Sequence, residues 1–222
     1  MKRIFLIGTI LLVVSAVVII GYPRIIRNKE EASTKSKDSL KDNFRNGDII
    51  FQTSTSAQSK AIQLATNSKY SHMGIIYESE NGFFVYEAVQ PVKLTRLDDW
   101  IERGENAHYV VKRLKNYEEL LTNDNLKLMK NAGEKFRGKD YDIYFAWSDE
   151  SIYCSELVWK IYKEALGIEV GALQELREFD LTSDVVKSKM RERYADNIPL
   201  REKVISPAAM FNSDLLYTVK QN

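Results

Sequence analysis

The alternation of apolar and polar positions divides the chain into three stretches. Ile4 through Tyr22 is a run of nineteen residues without a charge, rich in Ile, Leu and Val. As a helix rising about 1.5 Å per residue, such a run spans roughly 28 Å, close to the hydrocarbon thickness of a bilayer. It follows Lys2 and Arg3 and ends Val18-Ile19-Ile20-Gly21-Tyr22-Pro23, with no small-x-small cleavage site. Residues 1–23 therefore read as a single-pass membrane anchor, with a cleaved secretory signal and a secreted product as the alternative. From Asn28 to Asn46 large apolar residues are scarce, and 24–46 reads as a solvated tether. Patterned sequence begins at Gly47, and 47–222 reads as one domain.

Within that domain, Gly47-Asp48-Ile49-Ile50-Phe51 predicts a buried strand after a turn glycine. Ser56 to Thr66 predicts a short helix, with Ala57, Ala61, Leu64 and Ala65 on one face. His72–Tyr77 and Phe83–Ala88 are strand-like, and Glu78-Ser79-Glu80-Asn81-Gly82 between them has hairpin turn chemistry. Leu97 to Glu102 predicts a turn or two of helix, and His108 to Leu114 another strand. Asn123 to Phe136, Ser151 to Leu166 and Asp184 to Tyr194 predict helices, the second closed by Gly167. Ile205-Ser206-Pro207 and a possible edge strand at Leu215–Val219 end the chain. Strands with helices grouped apart, and no repeating βαβ unit, predict an α+β domain. The segment from Glu169 to Arg201 is charged and carries no recognisable motif.

Charge narrows the function classes. With 32 basic and 31 acidic residues the net charge is +1, so no basic field favours a nucleic acid. A single cysteine rules out an intramolecular disulfide or a multi-cysteine metal site. Two histidines without HExxH spacing make a zinc centre improbable. No metal and no cofactor is expected.

Cys154 lies in Tyr153-Cys154-Ser155-Glu156-Leu157-Val158-Trp159. On a helix it shares a face with Leu157, Val158, Ile161, Tyr162 and Ala165, at the N-terminal end of that stripe. Asp149 or Ser151 is placed to cap the helix. A helix start favours a thiolate through its aligned dipoles and unpaired amides, and the same amides can receive an oxyanion. A lone cysteine is more often a small buried hydrophobe, so a nearby base decides the matter. His72 opens an apolar strand, where an imidazole can reach a cleft. His108 has no carboxylate placed across from it and reads as structural. If the hairpin loop is the four residues Glu78 to Asn81, Tyr77 pairs with Gly82 and His72 falls opposite Glu87, close enough for the carboxylate to orient the ring. Pattern alone gives a solvent-facing Glu87 equal weight.

These residues together resemble a known family. Gly47-Asp48-Ile49-Ile50-Phe51, Tyr70-Ser71-His72-Met73-Gly74-Ile75, Tyr86-Glu87-Ala88 and Tyr153-Cys154-Ser155-Glu156-Leu157-Val158-Trp159 are similar to the YiiX/YaeF-like permuted papain-fold hydrolases of the NlpC superfamily. Tyr141-Asp142 through Trp147-Ser148-Asp149 and Ile205-Ser206-Pro207-Ala208 are similar as well. The resemblance implies a circularly permuted papain-like domain, an antiparallel sheet or small barrel packed on helices. It implies Cys154 as nucleophile, His72 as base and Glu87 as orienting residue, with Tyr153 and Ser155 expected to shape the substrate or oxyanion site. It also implies export, hence a domain outside the cytoplasm.

The expected activity is amide hydrolysis through a thioester, on a peptide or peptidoglycan-derived fragment. Lipid acyl transfer or thioester hydrolysis at the same site is the second reading, with Phe83, Phe84 and Tyr86 as apolar walls. A non-catalytic ligand-binding domain is the third. Expected partners are the substrate and, through the N-terminal segment, the membrane.

Overall fold

The computed structural model describes residues 43–222. The expected anchor over 1–23 and most of the tether lie outside the described residues. Among the described residues, no helix is long and apolar enough to cross a membrane.

The domain is α+β. Among the described residues its main sheet has six strands, all paired antiparallel, in the order β4-β3-β2-β1-β5-β8. These are β1 (Ile49–Ser54), β2 (His72–Ser79), β3 (Gly82–Glu87), β4 (Lys93–Arg96), β5 (Gly104–Leu114) and β8 (Leu216–Gln221). The sheet is open, with β4 and β8 as its edges, rather than closed into a barrel. β1 is central, which explains its unbroken Ile49-Ile50-Phe51 run: both faces of that strand are covered.

On one face of the sheet, Phe51, Met73, Ile75 and Tyr86 meet Leu157, Ile161 and Tyr162 of α5 (Cys154–Leu166) and Met129 of α4 (Asn123–Glu134). The periodic apolar stripe of α5 is what buries it there. Trp100 of α2 (Leu97–Glu102), fully buried, stacks beside His72. The segment without a motif folds into a two-residue strand β6 (Gln174–Glu175), a 3-10 turn and α6 (Asp184–Tyr194). Val186 and Met190 of α6 form a satellite core with Ala61 of α1 (Ser59–Thr66) and with Leu176.

Several boundaries differ from the sequence expectation. The packed domain takes in Phe44, whose ring is buried against Phe83 and Tyr109, so the tether ends earlier than Asn46. α1 begins at Ser59 rather than Ser56, α4 stops at Glu134 rather than Phe136, and β5 extends back to Gly104. Strand β4 was not expected because an edge strand with exposed faces has no apolar period to read. The single turns α3 (Tyr117–Leu120) and α7 (Pro207–Phe211), and the β6–β7 pair, with β7 at Lys203–Val204, are too short to be seen in the pattern. The start of α7 did carry a signal: Ser206 accepts from the Ala209 amide and Pro207 opens the helix.

Candidate active site

The strand register sets the distance between His72 and Glu87. Ser79 pairs with Gly82, so the hairpin turns over Glu80-Asn81 alone, not over the four residues expected. Gly82 enters β3 at φ +103, a conformation glycine tolerates. The register therefore moves by two residues: Ile75 pairs with Tyr86, and one step further Glu87 lies against Gly74 instead of His72. A two-residue move preserves side-chain parity, so His72 and Glu87 still share a face, now diagonally. Gly74 leaves open the space that the Glu87 side chain crosses to reach the imidazole. A Cβ there would lie 3.3 Å from the Glu87 Cβ.

Glu87 is fully buried, so the solvent-facing reading falls away. Its Oε2 accepts from His72 Nε2 at 2.5 Å, Trp100 Nε1 at 2.9 Å and Arg103 Nη2 at 2.6 Å. Its Oε1 accepts from Thr95 Oγ1 at 2.5 Å and Arg103 Nη2 at 2.7 Å. A buried carboxylate demands such a complement of donors. Thr95, Trp100 and Arg103 were not anticipated. They come from β4, α2 and the residue after α2, and short polar segments give no advance sign of which side chain turns inward.

The Cys154 thiol also acts on His72, and with Nε2 held by Glu87 it is Nδ1 that is left for the sulfur. Cys154 is the first residue of α5, and Tyr153 is its N-cap. The expected caps are corrected. Asp149 pairs with Lys160 instead, and Glu156 reaches back to the Tyr153 amide at 3.5 Å. Tyr153 and Ser155 fix the helix start: the Tyr153 hydroxyl accepts from Ile205 N at 3.1 Å, and the Ser155 hydroxyl donates to Ile205 O at 2.8 Å. Their polar atoms are thus engaged in structure. The free amides of the first turn are left as oxyanion donors.

One recess reaches the thiol and a second borders His72. The first is apolar and is lined by Cys154 with Ile62, Ala65, Phe145, Leu176 and Phe179. The second, a polar cleft, is lined by His72 with Ser54, Ser56, Gln58, Gln90 and Arg103. Tyr141 borders both, its hydroxyl accepting from Gln58 Nε2 at 2.8 Å. Phe83 and Phe84 line neither; Phe83 packs on Phe44 and Phe84 lies under Arg96. Tyr86 donates to Gly133 O in the core. These three are not walls of the site. His108 sits at the surface between Lys69 and the Asn222 carbonyl, away from it.

Burial alone would lower the His72 pKa, but the bonds and charges of Cys154 and Glu87 outweigh it and raise it to about 9. Burial would raise Glu87, yet His72 and Arg103 together bring it down to about 2. Imidazolium and carboxylate therefore coexist at neutral pH. The histidine contribution to stability is complete below its unfolded pKa of about 6.5 and is lost as pH rises through about 9. The glutamate contribution is complete above about 4.5 and is lost as pH falls through about 2. In urea titrations the stability difference between wild type and Glu87→Gln should peak between about pH 4.5 and 6.5. A difference that stays flat from pH 5 to pH 10 would remove the ion pair.

Comparison with known proteins gives a consistent result. The family model described as the permuted papain-like amidase enzyme, YaeF/YiiX, C92 family, matches residues 43–220. Uncharacterized protein YiiX of Escherichia coli K12 is 50% identical over 173 residues, covering 78% of this chain and 84% of that protein. A crystal structure described as metalloprotein yiiX from Escherichia coli O157:H7 superposes with a TM-score of 0.77 at 47% identity, covering 81% of this chain and 98% of that one. Among the described residues here, no three His, Cys, Asp or Glu side chains are grouped to hold a metal ion. His72 already spends its Nε2 on Glu87. These residues do not fit a resident metal, and no step below runs through one. With a family match across the whole described domain and half the aligned residues shared with YiiX, the chain belongs to the YaeF/YiiX family of permuted papain-like amidases and is a cysteine amidase-type hydrolase.

Proposed function

We propose that Cys154, His72 and Glu87 cleave an amide bond in a peptide or peptidoglycan-derived substrate through a thioester. The observation that carries this reading is the bond from His72 to the buried Glu87, with the Cys154 thiol at the start of α5 acting on the same imidazole. His72 already holds the proton given up by the thiol, and the sulfur attacks the carbonyl carbon. The negative oxygen forms beside the free first-turn amides. His72 then returns the proton to the leaving amine as the C–N bond breaks. Water attacks the thioester, His72 accepts its proton, and the thiolate departs with the acid released. Glu87 holds the ring and offsets its positive charge throughout, as the third member of a triad does.

The apolar recess beside Cys154 favours a second reading, in which the acyl group is a lipid chain and the reaction is acyl transfer or thioester hydrolysis. Intact-mass measurement separates the two. Peptidoglycan fragments should leave a transient acyl mass on wild-type protein and none on Cys154→Ala. An adduct formed from phospholipid alone would favour the second reading. No adduct from either class, with the protein folded, would count against both.

A further inference from the structure

Arg103 is positioned to do more than support Glu87. Both of its bonds to the carboxylate come from Nη2. Its Nη1 and Nε have no hydrogen-bond partner among the described residues, and its side chain is 39% exposed. That exposed part borders the polar cleft beside His72. Of the residues lining this cleft, Arg103 and His72 alone carry positive charge, and no carboxylate faces it; Glu87 is buried behind them. The remaining walls are hydroxyls, amides and small apolar groups. A guanidinium with an unused pair of donors in such a setting recognises a planar anion.

We propose that Arg103 is a specificity residue that binds a carboxylate of the amide substrate, so that the enzyme prefers substrates bearing an acidic group close to the scissile bond. This rests on the reading of Cys154 as nucleophile. Arg103 and His72 line the same cleft, so a group held by the guanidinium lies beside the imidazole that serves the scissile bond. The acidic group would therefore be a free terminal carboxylate or an acidic side chain on the residue next to the cleaved bond.

A matched pair of thiol reagents tests this without knowledge of the natural substrate. N-iodoacetylglycine and N-iodoacetylglycinamide differ in carboxylate against carboxamide. Each alkylates by sulfur displacing iodide, and because Cys154 is the one cysteine, intact mass reads it alone. On the full chain, the ratio of the two rates should exceed that for glutathione by about tenfold, the value of one charge-assisted pair. In Arg103→Gln the ratio should fall to the glutathione value, and Arg103→Lys should keep part of it. Any loss of support for Glu87 slows both reagents alike and cancels in the ratio. A ratio unchanged in Arg103→Gln, with Cys154 still reacting faster than glutathione, would overturn the inference and leave the nucleophile in place. Alkylation by both reagents no faster than that of glutathione would instead remove the nucleophile, and the inference with it.

Discussion

Cys154→Ala and His72→Ala should each lower amide turnover by about a thousandfold or more while leaving the domain folded. The sulfur forms and breaks the covalent bond, and the imidazole moves every proton in the cycle, so neither role has a substitute nearby. The two losses should not add in the double variant, because the residues act as one unit. The Cys154 side chain is small, and alanine in its place removes little from a core anchored by Leu157, Ile161 and Tyr162. Circular dichroism and thermal melting should therefore match the wild type closely for Cys154→Ala. In His72→Ala the Glu87 carboxylate keeps Trp100, Thr95 and Arg103 as donors. Turnover within tenfold of wild type in either folded variant would exclude that residue from the chemistry.

Gly74→Ala should be severely damaging even though the residue touches no substrate. A Cβ there would stand 2.4 Å from Val85 Cγ1 and 2.7 Å from the Tyr86 carbonyl oxygen. The valine tip has some freedom, but the carbonyl is part of the β2–β3 ladder and cannot move without breaking it. Overpacking of this kind costs about 1–3 kcal/mol, or several degrees of melting temperature in a domain of this size. The strand that yields is β3, which carries Glu87, so kcat should fall as well. A melting temperature within a degree of wild type would show that the ladder absorbs a methyl group and that the contact is unimportant.

Much of the site was legible because its members sit where the pattern changes. Cys154 ends an apolar helical stripe, His72 opens a strand, and Glu87 is a charge inside an otherwise apolar strand. What the sequence did not carry was the register. A four-residue turn and a two-residue turn both suit Glu78 through Gly82, and only pairing in three dimensions chose the shorter. Parity kept the conclusion intact, since a move of two returns each side chain to the same face. The donors around Glu87 were invisible for a different reason. Thr95 lies on an exposed edge strand, and Arg103 follows a helix of two turns at most, so neither residue belongs to a periodic segment long enough to show which way it faces. The caps of α5 were misjudged because several polar residues precede it, and the one used, Tyr153, acts through its backbone and through a phenol bonded to Ile205.

The order of these residues along the chain also bears on when the enzyme becomes reactive. The hairpin carrying His72 and Glu87 closes over a two-residue turn, so its contacts are among the most local in the sheet and can form early. The helix bearing Cys154 comes later in the chain and packs on β2 and β3. A truncated product lacking α5 carries no cysteine, so it lacks the thiol together with the helix that holds it.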